Sequence, residues 1–336
     1  MIYYTRIKKP HDFCQVNAPY HMTEVVSEPG EKRDLVVSTK RGVIVLCFQC
    51  CVEYLNRFVM NEILVPTDLS ANSRAGMRFA IGLATQTKQP LIFYHCMQYL
   101  RPTRWSEAQF KSYRNAETTK GTLALRKFVA GVYKSARGVK PSFECFVEQQ
   151  PDPSRAIINY ALSVHASAIC MSTRGGGRLR KIVGTHASRL IHESPVPVFV
   201  IPETYRRSPL KHILYASDLN AIGAELKQVM GIARTLRAKI SVVHYDFMAD
   251  VDDARKKLEA LAEKYKAPGV TFRFQKYDVG KSLGQHLIGD MKAYKPSLVV
   301  LFTDQKRGWF DRLFLASKSV GVAYESRTPL LIIPKV

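Results

Sequence analysis

The chain has 336 residues, 46% hydrophobic and 23% charged, with 50 lysines and arginines against 28 aspartates and glutamates. Such a composition excludes a fibrous or wholly disordered chain, and the length suits two domains of ordinary size, each able to bury a core. A formal net charge of +22 favours an anionic partner, whether nucleotide, nucleic acid or membrane surface, and equally suits a solubilising basic exterior.

Residues 1–59 differ from the rest. They mix proline, histidine and charge without a sustained period before one apolar patch, Val43 to Leu55. Its longest run is too short to span a bilayer and too far into the chain for a signal peptide, so a cytoplasmic protein without a membrane partner is expected. Cys47, Cys50 and Cys51 form a CxxCC cluster with no second pair to complete a zinc site. Seven cysteines in all are too few and too scattered for a disulfide framework. Little fixed structure is expected before about Arg57, on the reading that the true start lies downstream. The alternative is an arm that packs Val43 to Leu46 on the body.

From Met60 the sequence repeats itself. "ILVPTDLS" at 63–70 returns as "ILYASDLN" at 213–220, and "PLIFYHCM" at 90–97 as "ISVVHYDF" at 240–247. "SAICMST" at 167–173 matches "SLVVLFTD" at 297–304, and "SPVPVFVIP" at 194–202 matches "SRTPLLIIP" at 326–334. The order is the same in both halves, which indicates a duplicated domain, 60–205 and 206–336.

Each half alternates short apolar runs with helical patterns, the signature of a parallel sheet covered on both faces. In the first half strands are expected at 62–68, 90–97, 142–149, 167–172 and 197–201. Helical spacing joins Ala75, Phe79 and Leu83, then Leu125, Phe128, Val129 and Val132, then Ile157, Ala161 and Val164, and last Ala187, Leu190 and Ile191. In the second half Val251, Ala254, Leu258 and Leu261 line one helix face. The expected fold is α/β: two tandem, doubly wound, Rossmann-like layers of five mostly parallel strands with helices on both faces, related by a pseudo-twofold. Ligands of such sheets sit beyond the carboxyl ends of the strands, at the switch point.

"MSTRGGGRLRKIVGTHASRL", residues 171–190, occupies that position. Glycines let a ligand approach the main chain and let successive N–H groups point at phosphate oxygens. Thr185 can add a hydroxyl where a new helix presents its free N–H groups, and Arg178, Arg180 and Lys181 add charge. On glycine content alone, a flexible surface turn explains the loop as well. GxxxxGK[ST] is absent, so no P-loop mechanism is supported, and neither the pattern nor the position suits a GxGxxG dinucleotide site.

Four landmarks in order, "ILVPTDLS", "FYHC", "MSTRG" with a later "GT", and "PVPVFVIP", resemble the universal stress protein family in its tandem two-domain form. The likeness covers 60–336 as two copies. It implies a five-stranded α/β fold and binding of ATP, with or without Mg²⁺, in a stress-related role without an evident hydrolytic apparatus. By that resemblance Pro66 and Asp68 match positions near the base and ribose, and Cys96 the adenine pocket. Met171, Ser172, Arg174 and Gly175 match the start of the phosphate motif, and Gly184, Thr185 and His186 its end. Ser172 stands where the motif has its first glycine, and eight residues rather than nine separate Gly175 from Gly184.

The second copy departs further: Thr303-Asp304-Gln305-Lys306 replaces the early glycines, Ala316-Ser317 the final pair, Tyr245 stands for Cys96 and Ala216 for Pro66. It is expected to be degenerate, a structural partner of the first. The apolar runs Val196 to Ile201 and Pro329 to Ile333 are expected to pair the two copies antiparallel within one chain, and a higher homo-oligomer is left open. His95 and His244 read as satisfied core histidines, His186 and His192 stand six apart, off a common helical face for a metal pair, and Asp68 has a rival reading as a helix cap. Basic residues are even, 19 against 9 acidic in 60–205 and 23 against 13 in 206–336, which argues against a dedicated nucleic-acid face. The rival function is a nucleotide-free scaffold for a partner protein or nucleic acid. Slow ATP hydrolysis is the weakest reading, and no catalytic residues are assigned.

Overall fold

The computed structural model describes residues 21–24, 34–39, 42–47, 61–98, 102–136, 140–173, 185–219, 221–246, 251–276, 280–281, 283–303 and 327–335. The chain divides into two compact units, Met1–Val59 and Met60–Val336. In the first, β1 (His21–Glu24), β2 (Asp34–Thr39) and β3 (Gly42–Cys47) form an antiparallel three-stranded sheet in that order. The sequence reading expects little fixed structure here, and the difference has a plain cause. "DLVVST" and "GVIVLC" are rich in β-branched residues, but each run is too short to register as a sustained period.

The second unit is built on one ten-stranded sheet. Its strands are β4 (Ile63–Pro66), β5 (Leu91–Met97), β6 (Phe143–Gln149), β7 (Ala168–Ser172), β8 (Val198–Ile201), β9 (His212–Ala216), β10 (Lys239–Asp246), β11 (Val270–Lys276), β12 (Leu298–Thr303) and β13 (Leu330–Pro334). Across the sheet they run β11-β10-β9-β12-β13-β8-β7-β4-β5-β6. All pairs are parallel except β8 with β13 in the middle, where Val198 faces Ile332, Phe199 faces Leu331 and Val200 faces Leu330. All six of these side chains are buried.

Seven helices lie between the strands among the described residues: α1 (Arg74–Thr87), α2 (Glu107–Ser135), α3 (Pro153–Ser163), α4 (Thr185–Glu193), α5 (Ile222–Leu236), α6 (Val251–Lys264) and α7 (Leu283–Tyr294). None is long and apolar enough to cross a membrane. One face of the sheet is covered by α1, α2 and α5, through Met77, Phe79, Ile81, Leu125, Val129, Leu226 and Val229. The opposite face carries α3, α4 and α7, through Ile157, Ala161, Leu190, Leu287 and Met291. Each of the larger apolar side chains contributes about 1.5–3 kcal/mol on burial, so covering both faces explains why the inner strands are near-continuous apolar runs.

Residues in the left-handed region recur at matching points of the two halves. Leu69 (φ 60°) and Leu219 (φ 64°) follow β4 and β9, Lys88 (φ 60°) and Arg237 (φ 51°) close α1 and α5, and His165 (φ 50°) and Lys295 (φ 46°) precede β7 and β12. Non-glycine residues take this conformation only where the fold holds them in it.

Candidate functional site

The chain leaves β4 outward through β5 to β6, then returns to lay β7 and β8 on the other side of β4. Helix α1, after β4, packs on one face of the sheet and α4, after β7, on the other. The boundary between β4 and β7 is therefore the topological switch point of this half, and their carboxyl ends open into a crevice. Pro66 ends β4 and Met171 and Ser172 end β7, so both sides of the crevice carry residues singled out by the sequence. Cys96 lies near the end of β5 beside them, in register with Glu148 of β6.

The turn after β4 is built from hydroxyls. Thr67, buried, accepts the Leu69 N–H at Oγ1 (3.1 Å), and its hydroxyl meets that of Ser73 at 2.8 Å. Ser73 in turn donates to the Ser70 carbonyl at 2.8 Å. The His95 Nδ1 lies 2.8 Å from the Thr67 carbonyl, which makes it the satisfied histidine its strand position suggested. Asp68 is exposed, and its Oδ1 accepts the Ser70 N–H at 3.0 Å within the turn. The N-cap of α1 is Ser73, with no side-chain cap bond of its own.

That cap comes from another strand. Ser172 Oγ accepts the Gly76 N–H at 2.8 Å and donates to the Ser73 carbonyl at 3.3 Å. Gly76 is the third residue of α1, whose N–H has no partner within the helix. A Cβ on Gly76 would lie 2.9 Å from the Ser172 nitrogen, so only glycine permits the contact. The Ser172 hydroxyl thus serves the end of α1. It is buried and used inside the fold, because the unpartnered donor of α1 is nearer than solvent.

Cys96 is half-buried, its thiol 3.7 Å from the Gln150 carbonyl, and burial above all pushes its pKa up, so it is a poor nucleophile but a suitable pocket wall. Next to it, the Tyr94 hydroxyl donates to Glu148 at 2.7 Å and its ring stacks on Phe146. Thr185 opens α4. His186 is exposed, with Nδ1 2.8 Å from the hydroxyl of buried Ser154. Close by, Asp152 caps α3 through the N–H groups of Ser154 and Arg155 and pairs with Arg189 of α4 at 2.6 Å. The Arg155 N–H first, and then Arg189, holds the Asp152 carboxyl below its usual range. Arg174, Gly175 and Gly184 lie outside the described residues, as does most of the glycine loop. Among the described residues no group of three His, Cys, Asp or Glu could hold a metal ion.

The second half repeats the turn and fills the crevice differently. Ser217 accepts the Leu219 N–H at 3.1 Å, and the His244 Nδ1 lies 2.9 Å from the Ser217 carbonyl. Here Lys335, just past β13, places its ammonium 2.6 Å from Asp218 and 3.2 Å from Glu225 of α5. Glu225 is buried and also accepts from the Tyr215 hydroxyl. Burial alone would lower the Lys335 pKa, but the two carboxylates outweigh it and hold it above the ordinary lysine value. Buried Phe302 stands where the first half has Ser172, against the Tyr215 ring.

Residues 60–202 match the model of the Universal stress protein family. Among solved structures, a universal stress protein from Archaeoglobus fulgidus is similar, with 15% identity, a TM-score of 0.60, and 82% of this chain and 99% of that chain covered. A putative universal stress protein from Pseudomonas aeruginosa gives 13% identity and a TM-score of 0.53, with 83% and 95% covered. No curated protein matches the chain.

Proposed function

We propose that the protein is a tandem, cytoplasmic universal stress protein that binds ATP or a related adenine nucleotide in its first half and acts in stress sensing rather than turnover. The observation that carries this is the switch point between β4 and β7. Pro66 and Asp68 stand on one side and Met171 on the other, ahead of the glycine loop, within the span that matches the family. Asp68 is the group for the ribose, Cys96 and the main chain beside it wall the base, and Arg174, Gly175, Gly184, Thr185 and His186 take the phosphates, with Mg²⁺ as counter-ion where it is bound. Ser172 serves by holding α1 against β7. In the second half Lys335 neutralises the carboxylate that corresponds to Asp68, so that half is a structural partner without nucleotide.

The test is calorimetric titration of the full chain with ATP, in the presence and absence of Mg²⁺. One nucleotide per chain is expected. Asp68→Ala should weaken binding about tenfold, Gly184→Val should abolish it, and Asp218→Ala should leave it within twofold. Two nucleotides per chain would show that the second half binds as well, and loss of binding through Asp218→Ala but not Asp68→Ala would put the site in the second half.

A further inference from the structure

The two halves carry their basic residues evenly along the sequence, but the fold does not keep them even in space. On the face of the sheet covered by α1 and α5, where the ends of these two helices meet, three segments converge on the side chain of Gln86. Its Nε2 donates to the carbonyls of Leu210 (3.2 Å) and Leu236 (2.7 Å), and its Oε1 accepts the Leu210 N–H at 3.3 Å. The Lys239 N–H then donates to the Lys211 carbonyl at 2.9 Å, and the Arg207 side chain lies against Gly82 of α1. So the last turn of α1, the last turn of α5 and the connection between the halves form one surface.

Each segment presents exposed cations there: Lys88 from the first, Arg206, Arg207 and Lys211 from the connection, Arg237 and Lys239 from the third. Across residues 82–90, 203–211 and 236–240 the one acidic side chain is Glu203. Lys88 and Arg237 close helices, where a cation suits the negative end of the dipole. Arg206, Lys211 and Lys239 stand outside the helices.

We infer that this surface binds the phosphate backbone of double-stranded nucleic acid without regard to sequence. The chemistry between the cations selects the partner. The exposed residues there, Thr204 and Ser208, offer hydroxyls, which with arginine and lysine are the usual phosphate donors. Tyr205 and Leu210 are buried, so these segments expose no aromatic ring on which single-stranded bases could stack, and Pro209 is too small an exposed apolar group to enter a lipid surface. A rigid array of cations anchored on one glutamine suits a rigid polyanion.

The experiment is fluorescence anisotropy of the full chain with a labelled 25-base-pair duplex of arbitrary sequence, from 50 to 200 mM salt. Log K should fall linearly with log salt, with a slope of roughly −3.6 to −5.4 for four to six phosphates met. The variant Arg206→Glu/Arg207→Glu/Lys211→Glu should lose at least tenfold in affinity and flatten the slope, with its melting curve confirming the fold. Reversing as many exposed lysines on α2, Lys111, Lys120 and Lys127, should change affinity by less than threefold. Equal losses from both triple variants would overturn the assignment, since the attraction would then belong to net charge. So would binding of polyglutamate, single strands or anionic vesicles as tight as that of the duplex. The readout is independent of ATP, so failure here and failure of nucleotide binding are distinguishable.

Discussion

A serine at 172 looks, in the sequence, like a replacement for a phosphate-loop glycine that keeps a hydroxyl for the ligand. Its actual partner stands 96 positions away, and no local spacing announces a cap supplied from another strand. Losing that bond should cost what a lost N-cap costs, about 1 kcal/mol. Ser172→Ala is expected to lower stability by that amount and to speed hydrogen exchange at the Gly76 amide, read by NMR, while Ser172→Thr keeps the hydroxyl and restores protection. Unchanged exchange at Gly76 in the alanine variant would remove the cap from the account. Lys335 was equally hidden, since nothing in "LIIPKV" points to Asp218 or Glu225. Removing the cation leaves a buried glutamate uncompensated, a loss of about 2 kcal/mol where a fully buried pair would lose about 3–5. Lys335→Met should therefore be destabilising at neutral pH, and adding Glu225→Gln should recover part of the loss. The pH dependence has a definite sign: a lysine pKa raised by folding adds stability that is full below the unfolded lysine value, about 10.4, and fades as pH rises through the folded one. The stability gap between wild type and Lys335→Met, measured by urea unfolding, should narrow above about pH 10.4 and stay constant from pH 6 to 9.

At the scale of elements the sequence was far more legible. The strands expected at 90–97, 142–149, 167–172 and 197–201 appear as Leu91–Met97, Phe143–Gln149, Ala168–Ser172 and Val198–Ile201; the inner three cannot hide their apolar runs, and the exposed edge strand Phe143–Gln149 shows instead through alternating Phe143, Cys145 and Val147. Helical spacing found α1, α3 and α4 for the same reason. It missed most of α2, whose first half, from Glu107 to Lys120, is largely exposed and so carries no apolar stripe. That half is held instead by a capping box, in which Ser106 and Gln109 bond one another's main-chain N–H. The short strands of residues 21–47 escaped notice because a six-residue run outside a repeat offers little to recognise. Within the large sheet, Val198 and Leu331 sit in neighbouring positions of the two central strands and are buried. Val198→Asp would bury a charge without a partner and should cost several kcal/mol. The expected outcome in differential scanning calorimetry is separation of one transition into two, or aggregation on heating; a single transition at the wild-type temperature would show that the halves do not depend on this pairing.

For the whole molecule, the chain divides into two compact units at Met60. A chain beginning at Met60 is expected to melt within a few degrees of the full chain and to bind ATP equally, and a larger drop would make residues 1–59 part of the folded body. The central antiparallel pair has a further bearing, on how the protein is made. Strand β8 is apolar and buried, yet its neighbour on that side is β13, which the ribosome delivers only after β9 through β12. During elongation the first half therefore waits with an apolar sheet edge uncovered, the state in which nascent chains cross-pair with one another on a polysome. Slow codons or scarce chaperone between residues 202 and 330 should cost soluble yield more than the same delay before residue 190. Pulse-labelled translation with stalls at the two positions would measure that difference.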